Sequence, residues 1–392
     1  MDEKNVYIAR CGEVALKGLN KPYFERVLAE RIRKAAAKYD DVEVKRHEGL
    51  IFLKAPSSVD KREFAGEIAK VFGVASVSPA VETNSAMEAI GAAAVSYMQG
   101  LVGEKGVKTF KVEAKRADKS FPVQSPDIGR IIGARILSEC GTLSVDVHSP
   151  DCLLFIDVRR GNSYIYEQKI AGFGGLPLGT NGKGMVLLSG GVDSPVAAFY
   201  MAKRGMLIEA VHFHSYPYTS ERAQQKVVEL ASVLAGYCGN FKIHMVNLLP
   251  IQEQIAEHCP EDEMTIHVRR FMLRAAEAIA KESQCDMLIT GENLGQVASQ
   301  TAQALVVTDA VVDMPVMRPL IALDKIDIMA KAKEIGTYDI SIQPFEDCCT
   351  VFLPKHPVTK PRLDKILASE SKLDVSRLVA SVTGDKKVVS IR

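Results

Sequence analysis

Lys183-Gly184-Met185-Val186-Leu187-Leu188-Ser189-Gly190-Gly191-Val192-Asp193-Ser194-Pro195-Val196-Ala197-Ala198-Phe199-Tyr200-Met201 is the stretch that decides how this chain folds. The apolar run Met185 to Leu188 predicts a buried strand. Pro195 near a helix start and Gly205 as a stop bracket a helix after it. Ser189 to Ser194 therefore form a strand-to-helix turn. Two glycines let backbone N–H groups approach an anion, the helix start adds partial positive charge, and two serine hydroxyls add donors. The turn has no lysine and so lacks the Gly-x-x-x-x-Gly-Lys-Ser/Thr pattern of kinase-like and GTPase-like loops. An α/β domain that binds ATP and releases pyrophosphate fits it better.

Downstream, strands and helices alternate. Strands are expected at Gly184 to Leu188, Leu207 to His214, Lys242 to Val246 and Met287 to Thr290. Helices are expected up to Arg204, over Ser220 to Tyr237, over Val268 to Glu282, and from Val297. The alternation predicts an α/β fold with a doubly wound parallel sheet, whose ligand lies beyond the carboxyl ends of the strands. Ser189, His212, Phe213 and Gly291 fall at such ends. Upstream, Val6 to Arg10, Pro22 to Tyr39 and strands around Glu48-Gly49 suggest a small α+β unit. A second follows, with helices over Lys61 to Phe72, Ala86 to Leu101 and Ser125 to Ser138 and strands over Thr109 to Ala114 and Leu153 to Val158. Gly172 to Gly184, rich in glycine, reads as a linker; no strand leads into Gly172 as a dinucleotide fingerprint requires. The expected division is 1–58, 59–168, a linker over 169–183, and 184–392.

The 392 residues, 47% hydrophobic, suffice for more than one core. A net charge of +1 gives no global reason to expect a nucleic acid, and residues 1–171 carry 26 basic against 23 acidic side chains. The signal is local: between Lys105 and Arg135 eight basic residues face only Glu113, Asp118 and Asp127. That segment is either a phosphate-contacting face or a solvated one. No apolar run approaches the ~20 residues that span a bilayer, and the acidic start Met1-Asp2-Glu3 has no signal-peptide core, so a cytoplasmic chain is expected. The eight cysteines are scattered without zinc-like spacing.

Asp193, inside the phosphate turn, would repel a triphosphate unless a divalent cation intervened, so it is either a magnesium ligand or a helix cap. His212 and Phe213 are placed to meet a nucleotide. Arg269 and Arg270 open a helix from which one could meet a phosphate. Lys325 is a candidate to stabilise charge on an adenylated intermediate or on departing pyrophosphate. Cys348 and Cys349 form an adjacent pair ill suited to bridging each other, which favours a reactive thiol, although Asp347 would raise its pKa.

Five ordered blocks resemble the ThiI-type tRNA 4-thiouridine synthetases. They are Ser189 to Ser194, His212-Phe213-His214-Ser215 with Thr219 to Ala223, Thr290-Gly291-Glu292-Asn293-Leu294-Gly295-Gln296-Val297-Ala298-Ser299-Gln300-Thr301, Arg318-Pro319-Leu320, and Glu346-Asp347-Cys348-Cys349-Thr350. Thr109 to Pro122 and Asp146 to Asp151 resemble the family's THUMP domain, preceded by a ferredoxin-like domain. The resemblance implies a PP-loop ATP pyrophosphatase domain after these two. It implies adenylation of C4 of uridine 8 in tRNA, with pyrophosphate released, and then displacement of AMP by sulfur that a cysteine desulfurase delivers as a persulfide. Carried over, Leu187, Leu188, His212, Phe213, Arg269, Gly291 and Gln300 would bind ATP, beside Ser189, Gly190, Gly191, Asp193 and Ser194 of the phosphate turn already read from the residues. Asp193 and Lys325 would serve adenylation with Mg2+, Cys349 matches the family's PP-loop-domain cysteine with Cys348 beside it, and Lys111, Lys115, Arg116 and Lys119 would contact tRNA.

Longer members end in a rhodanese-like domain, but only roughly forty residues follow Cys349, too few for one. The expectation is a short form in which Cys348 or Cys349 takes the persulfide, or a separate protein supplies it. Cys259-Pro260-Glu261-Asp262 lacks the second cysteine of the iron–sulfur relatives, so no cluster is expected. Whether the chain forms a homodimer is open at this point. The competing readings are a THUMP-containing methyltransferase, whose Asp/Asn-Pro-Pro-Tyr/Phe motif is not met by Asp313-Met314-Pro315-Val316, another pyrophosphatase acting on RNA or a small molecule without persulfide transfer, and an RNA-binding module with a vestigial nucleotide site.

Overall fold

Strands that alternate apolar and polar residues upstream and continuous apolar strands downstream produce two different sheets. The computed structural model describes residues 4–297, 299–345, 351–352 and 354–391. They divide into two compact units, Met1–Pro177 and Leu178–Arg392.

The first unit begins with β1 (Lys4–Cys11), α1 (Lys21–Ala36), β2 (Glu43–His47), β3 (Leu50–Pro56), α2 (Lys61–Ala69) and β4 (Val74–Asn84). This is the β-α-β-β-α-β order of a ferredoxin-like fold. It continues with α3 (Met87–Lys105), β5 (Thr109–Arg116), α4 (Ser125–Glu139), β6 (Ser144–Val145), β7 (Cys152–Val158), β8 (Asn162–Tyr166) and β9 (Ile170–Ala171). One sheet runs β2-β3-β1-β4-β8-β7-β5-β6, with β9 on β4. Glu48 and Gly49, at φ 48° and 74°, turn β2 into β3 with His47 opposite Leu50, a two-residue hairpin that needs positive φ at both positions. α1 and α2 bury Leu28, Ile32, Phe64 and Ile68 against Tyr7, Leu53 and Val77. That core therefore reaches past residue 58. α3 and α4 bury Met98 and Ile132 against Phe110 and Leu154.

The glycine-rich stretch is not loose at its start. Gly172 N–H donates to the Ala75 carbonyl at 2.9 Å and Gly174 N–H to that of Val74 at 2.9 Å. A Cβ on Gly172 would lie 2.3 Å from the Val74 carbonyl oxygen.

The second unit holds β10 (Lys183–Leu187), α5 (Asp193–Lys203), β11 (Leu207–His214), α6 (Glu221–Cys238), β12 (Phe241–Asn247), α7 (Leu249–His258), α8 (Met264–Glu282), β13 (Met287–Ile289), α9 (Ala302–Asp309), β14 (Val316–Met317), α10 (Lys325–Glu334), α11 (Tyr338–Ser341), α12 (Leu363–Glu370), α13 (Val375–Gly384) and β15 (Lys387–Ile391). The sheet order is β14-β13-β10-β11-β12-β15. All neighbours are parallel except β15, which runs antiparallel to β12. The expected parallel α/β sheet is present, and chain order reverses between β10 and β13, the switch point at which such sheets bind ligands.

Three local expectations are corrected. The helix expected from Val297 begins at Ala302, where the Thr301 hydroxyl accepts the Ala304 N–H at 3.1 Å, so Gln296 and Gln300 stand on a loop. Arg269 and Arg270 do not open α8; it begins at Met264. The third strand of the unit, β12, is followed by the helix α7 and flanked at the sheet edge by the antiparallel strand β15, two elements the sequence reading did not include.

Candidate active site

At the switch point the ends of β10, β11 and β13 leave a cavity of about 260 Å³. It is lined by Leu187, Leu188, Ser189, Asp193, Ser194, His212, Phe213, Arg269, Met272, Leu273, Thr290, Gly291, Glu292 and Gln300. Of the residues expected to meet a nucleotide, all but Gly190 and Gly191 are brought together here. Met272 and Leu273 were missed, although their spacing of three and four from Arg269 puts all three on one helical face.

The turn is shaped by its serines. The Ser189 N–H donates to Ser194 Oγ at 2.9 Å, the two hydroxyls lie 3.1 Å apart, and the Gly191 N–H donates to Ser189 Oγ at 3.3 Å. Gly291 has a steric duty: a Cβ there would lie 2.7 Å from the Ser194 nitrogen and 2.9 Å from the Asp193 carbonyl carbon. The end of β13 can thus rest against the start of α5 only if residue 291 has no side chain.

Asp193 does not cap α5 with its side chain. Its Oδ1 takes the Lys325 ammonium at 2.6 Å and its Oδ2 the Gln296 amide at 3.0 Å. Lys325, first residue of α10, thereby stands at the start of α5 although 132 positions away in the chain. His212 is buried, and burial pushes its imidazole down to about 4, against the raising effect of its bond to the Leu188 carbonyl at 2.8 Å. Because a carbonyl only accepts, Nδ1 carries the hydrogen, and the ring is neutral at physiological pH.

Arg269 reaches the pocket with its guanidinium held by Glu292 and by Ser299 Oγ at 2.7 Å. Glu292 is shared: its Oε2 takes Arg318 Nε at 2.7 Å and the Thr290 hydroxyl at 2.9 Å. Burial works against the charge on Glu292, but Arg269 and Arg318 outweigh it and hold the carboxyl below its usual range. Arg270 points elsewhere, bound twice by Glu370 at 2.9 and 2.7 Å and by the Val307 carbonyl at 2.6 Å. Cys348 and Cys349 lie outside the described residues.

In the first unit, Lys111 and Lys115 share one face of β5. Lys111 pairs with Glu113 at 3.2 Å. Arg116 alternates to the opposite face, its guanidinium donating to the Phe121 carbonyl at 2.8 Å, and Lys119 follows in the exposed turn. Among the described residues no group of three or more His, Cys, Asp or Glu converges as a metal cage, and no helix is long and apolar enough to cross a membrane.

Residues 179–375 match the family profile described as Thiamine biosynthesis protein (ThiI), residues 6–78 the ThiI ferredoxin-like domain, and residues 84–167 the THUMP domain. A probable tRNA sulfurtransferase of Alkaliphilus metalliredigens (strain QYMF) is 52% identical over 388 residues, 99% of this chain and 98% of the relative. One from Acetivibrio thermocellus is 48% identical over 389 residues, covering 99% of each. Among solved structures, a 4-thiouridine synthetase–RNA complex with bound ATP superposes with a TM-score of 0.91 at 38% identity over the whole of both chains. PH1313 from Pyrococcus horikoshii Ot3 gives 0.66 at 26% identity, over 85% of this chain and 99% of that one. With family profiles over all three regions and half-identical relatives over nearly its full length, the chain belongs to the ThiI family of tRNA sulfurtransferases.

Proposed function

We propose that this enzyme makes 4-thiouridine at position 8 of tRNA in two steps. The uridine C4 oxygen attacks the α-phosphorus of ATP, an O–P bond forms, and pyrophosphate leaves. The outer sulfur of a cysteine persulfide then adds at C4 and AMP leaves. A second thiol attacks the inner, cysteine sulfur, breaking the S–S bond to free 4-thiouridine and leaving a disulfide that an external dithiol must reduce. The observation that carries the reading is the Asp193–Lys325 pair at the mouth of the switch-point cavity. It places one cation and one carboxylate where the Ser189–Ser194 turn would hold a triphosphate. ATP is supported as the nucleotide by the ATP-bound relative and by the lining residues. Neutral His212 offers Nε2 as an acceptor toward the base, Arg269 stands by to meet phosphate, and Lys325 balances charge that develops on the departing pyrophosphate.

Asp193 suits magnesium in the way nucleotide sites usually hold it, as a single carboxylate with the remaining ligands from phosphates and water. Bound there, the ion would supply charge neutralisation between the phosphates and the turn. Cys349, with Cys348 beside it, takes the persulfide from a cysteine desulfurase. Of the four basic residues expected to contact tRNA, Lys115 and Lys119 are exposed and hold it directly, and Lys111 does so by giving up Glu113. Arg116, turned to the other face and bound to the Phe121 carbonyl, shapes the turn that carries Lys119. We also propose, in place of a first boundary at 58, a ferredoxin-like domain that runs through α2 into β4, a THUMP domain after it to 168, a connection over 169–183 whose start is fastened to β4, and a catalytic domain over 184–392, together with a cytoplasmic location and a homodimer.

The test is thiolation of unmodified tRNA with Mg-ATP, a cysteine desulfurase and cysteine, read on a mercury-containing gel that retards thiolated RNA. A retarded band for the wild type, lost in Asp193→Ala and Cys349→Ser, is expected. Pyrophosphate release that is indifferent to tRNA would overturn the reading in favour of a small-molecule substrate.

A further inference from the structure

A second cavity, of about 400 Å³, lies wholly in the first unit. Side chains alternate across a strand. Tyr7 and Ala9, Leu154 and Ile156, and Ile165 face the helices. Arg10, Phe155, Asp157 and Tyr166 therefore share the face away from them. Phe155 and Tyr166 are register partners with rings stacked at 5.2 Å and 18°. Arg10 Cζ sits 4.7 Å from the Tyr166 ring centre and Lys169 Nζ 3.5 Å from that of Phe155. Both ring faces are taken by cations, so this is not a base-stacking platform. Lys115 lines the same cavity.

Among the described residues no carboxylate lies within ion-pair distance of Arg10, Lys115 or Lys169. Burial lowers the Lys169 pKa, and Arg10 and Lys115 add to the effect, while Glu113 on the same lining, itself paired with Lys111, opposes it; the balance is still downward, so the three cations feel one another. Two buried polar atoms on the lining lack partners. Arg10 Nη2 is unused while Nη1 donates to Ser78 Oγ at 2.8 Å. Asp157 is only 3% exposed; its Oδ2 takes Arg159 Nε and Nη2, each at 3.1 Å, and its Oδ1 takes nothing. The cavity thus offers clustered positive charge, one spare donor, and one spare acceptor whose charge Arg159 already balances.

We propose that this cavity binds one nucleotide of an RNA strand, its phosphate on Arg10, Lys115 and Lys169 and its ribose 2′-hydroxyl donating to Asp157 Oδ1. The proposal rests on the reading that the chain binds tRNA. A phosphate supplies the acceptors that the three cations lack, and the 2′-hydroxyl is the group that separates RNA from DNA at such a site.

The experiment measures tRNA binding by the full-length protein across a salt series, for wild type, Arg10→Gln/Lys169→Gln and the charge-keeping Arg10→Lys/Lys169→Arg. The Gln pair is expected to weaken binding about 10-fold near 0.15 M salt and to flatten the log K against log salt slope by about 1, while the charge-keeping pair stays within about 2-fold. In the wild type, 2′-deoxy substitution of the acceptor-end strand is expected to weaken binding, and Asp157→Ala to erase that difference. Equal affinity and slope for the Gln pair and the wild type would overturn the site and leave tRNA binding standing. A wild type that binds no tRNA would instead remove the reading beneath it. Inorganic phosphate serves as the second probe: thermal stabilisation by phosphate that the Gln pair abolishes, with tRNA binding unchanged, would overturn the RNA assignment and make this a site for a small phosphate ester.

Discussion

Asp193 begins α5 with both carboxylate oxygens engaged, one by Lys325 and one by Gln296, and that engagement separates its catalytic weight from its structural weight. The pair is partly solvated, with side-chain exposures of 22% and 43%, so it contributes at most about 1 kcal/mol to stability. Lys325→Ala is therefore expected to leave the melting temperature almost unchanged while tRNA-dependent pyrophosphate release falls about 100-fold or more, which a coupled phosphate assay reads. His212 behaves the opposite way. Its folded pKa, about 4, lies below the ordinary 6.5, so its contribution to stability is complete above pH 6.5. It is lost as the pH falls toward 4, because the unfolded chain takes up the proton first. The loss amounts to about 3 kcal/mol across that window. Urea unfolding at pH 7 and pH 4.5 is expected to show a smaller acid-induced drop in His212→Asn than in the wild type.

At the scale of elements, two contacts decide whether the cavity keeps its shape. Gly291→Ala would drive a Cβ into the backbone where α5 starts, and backbone cannot swing aside as a flexible side chain can. The expected result is an ATP KM raised about 10-fold or more with the protein still folded, checked by circular dichroism beside the kinetics. Glu370 on α12 binds Arg270 and Arg274 of α8 at once, and the Arg270 side chain is almost fully buried. Glu370→Ala leaves that guanidinium buried without its counter-charge and is expected to cost about 3–5 kcal/mol in urea unfolding.

The central strands were legible because parallel strands buried on both faces read as apolar runs; the Leu207 to His214 expectation coincides with β11. β15 was not, because it is an edge strand with Lys387, Val388 and Ser390 exposed, and nothing in Lys387-Val388-Val389-Ser390-Ile391 marks its antiparallel partner. The pocket residues that turns and strand ends announce were legible for the same reason. The Glu292–Arg318–Asp309 links were not, because they join residues that only the folded sheet brings together. The segment Val297 to Thr301 looked helical from composition, yet the chain caps its helix with Thr301 and spends the preceding residues on the loop that delivers Gln296 to Asp193.

At the scale of the whole molecule, a net charge of +1 means that long-range attraction contributes little to RNA capture, so affinity depends on where cations are left unpaired. Lys111 and Arg116 already have partners inside the first unit, whereas Arg10, Lys115 and Lys169 form no ion pair among the described residues, although Glu113 and Asp157 line the same cavity. The glycine-rich stretch between the units carries a different lesson, for anyone who wishes to splice a reporter into this enzyme. Composition would nominate any of its glycines. An insert after Gly172 would have to grow from hydrogen bonds that fasten the chain to β4, whereas one after Gly175, beyond those bonds and ahead of the Gly179 and Asn181 bonds to the Gly205 carbonyl, would interrupt none of them. The tolerant splice point is three residues wide of the place the glycines first suggest, and the fluorescence yield of the two fusions would show it.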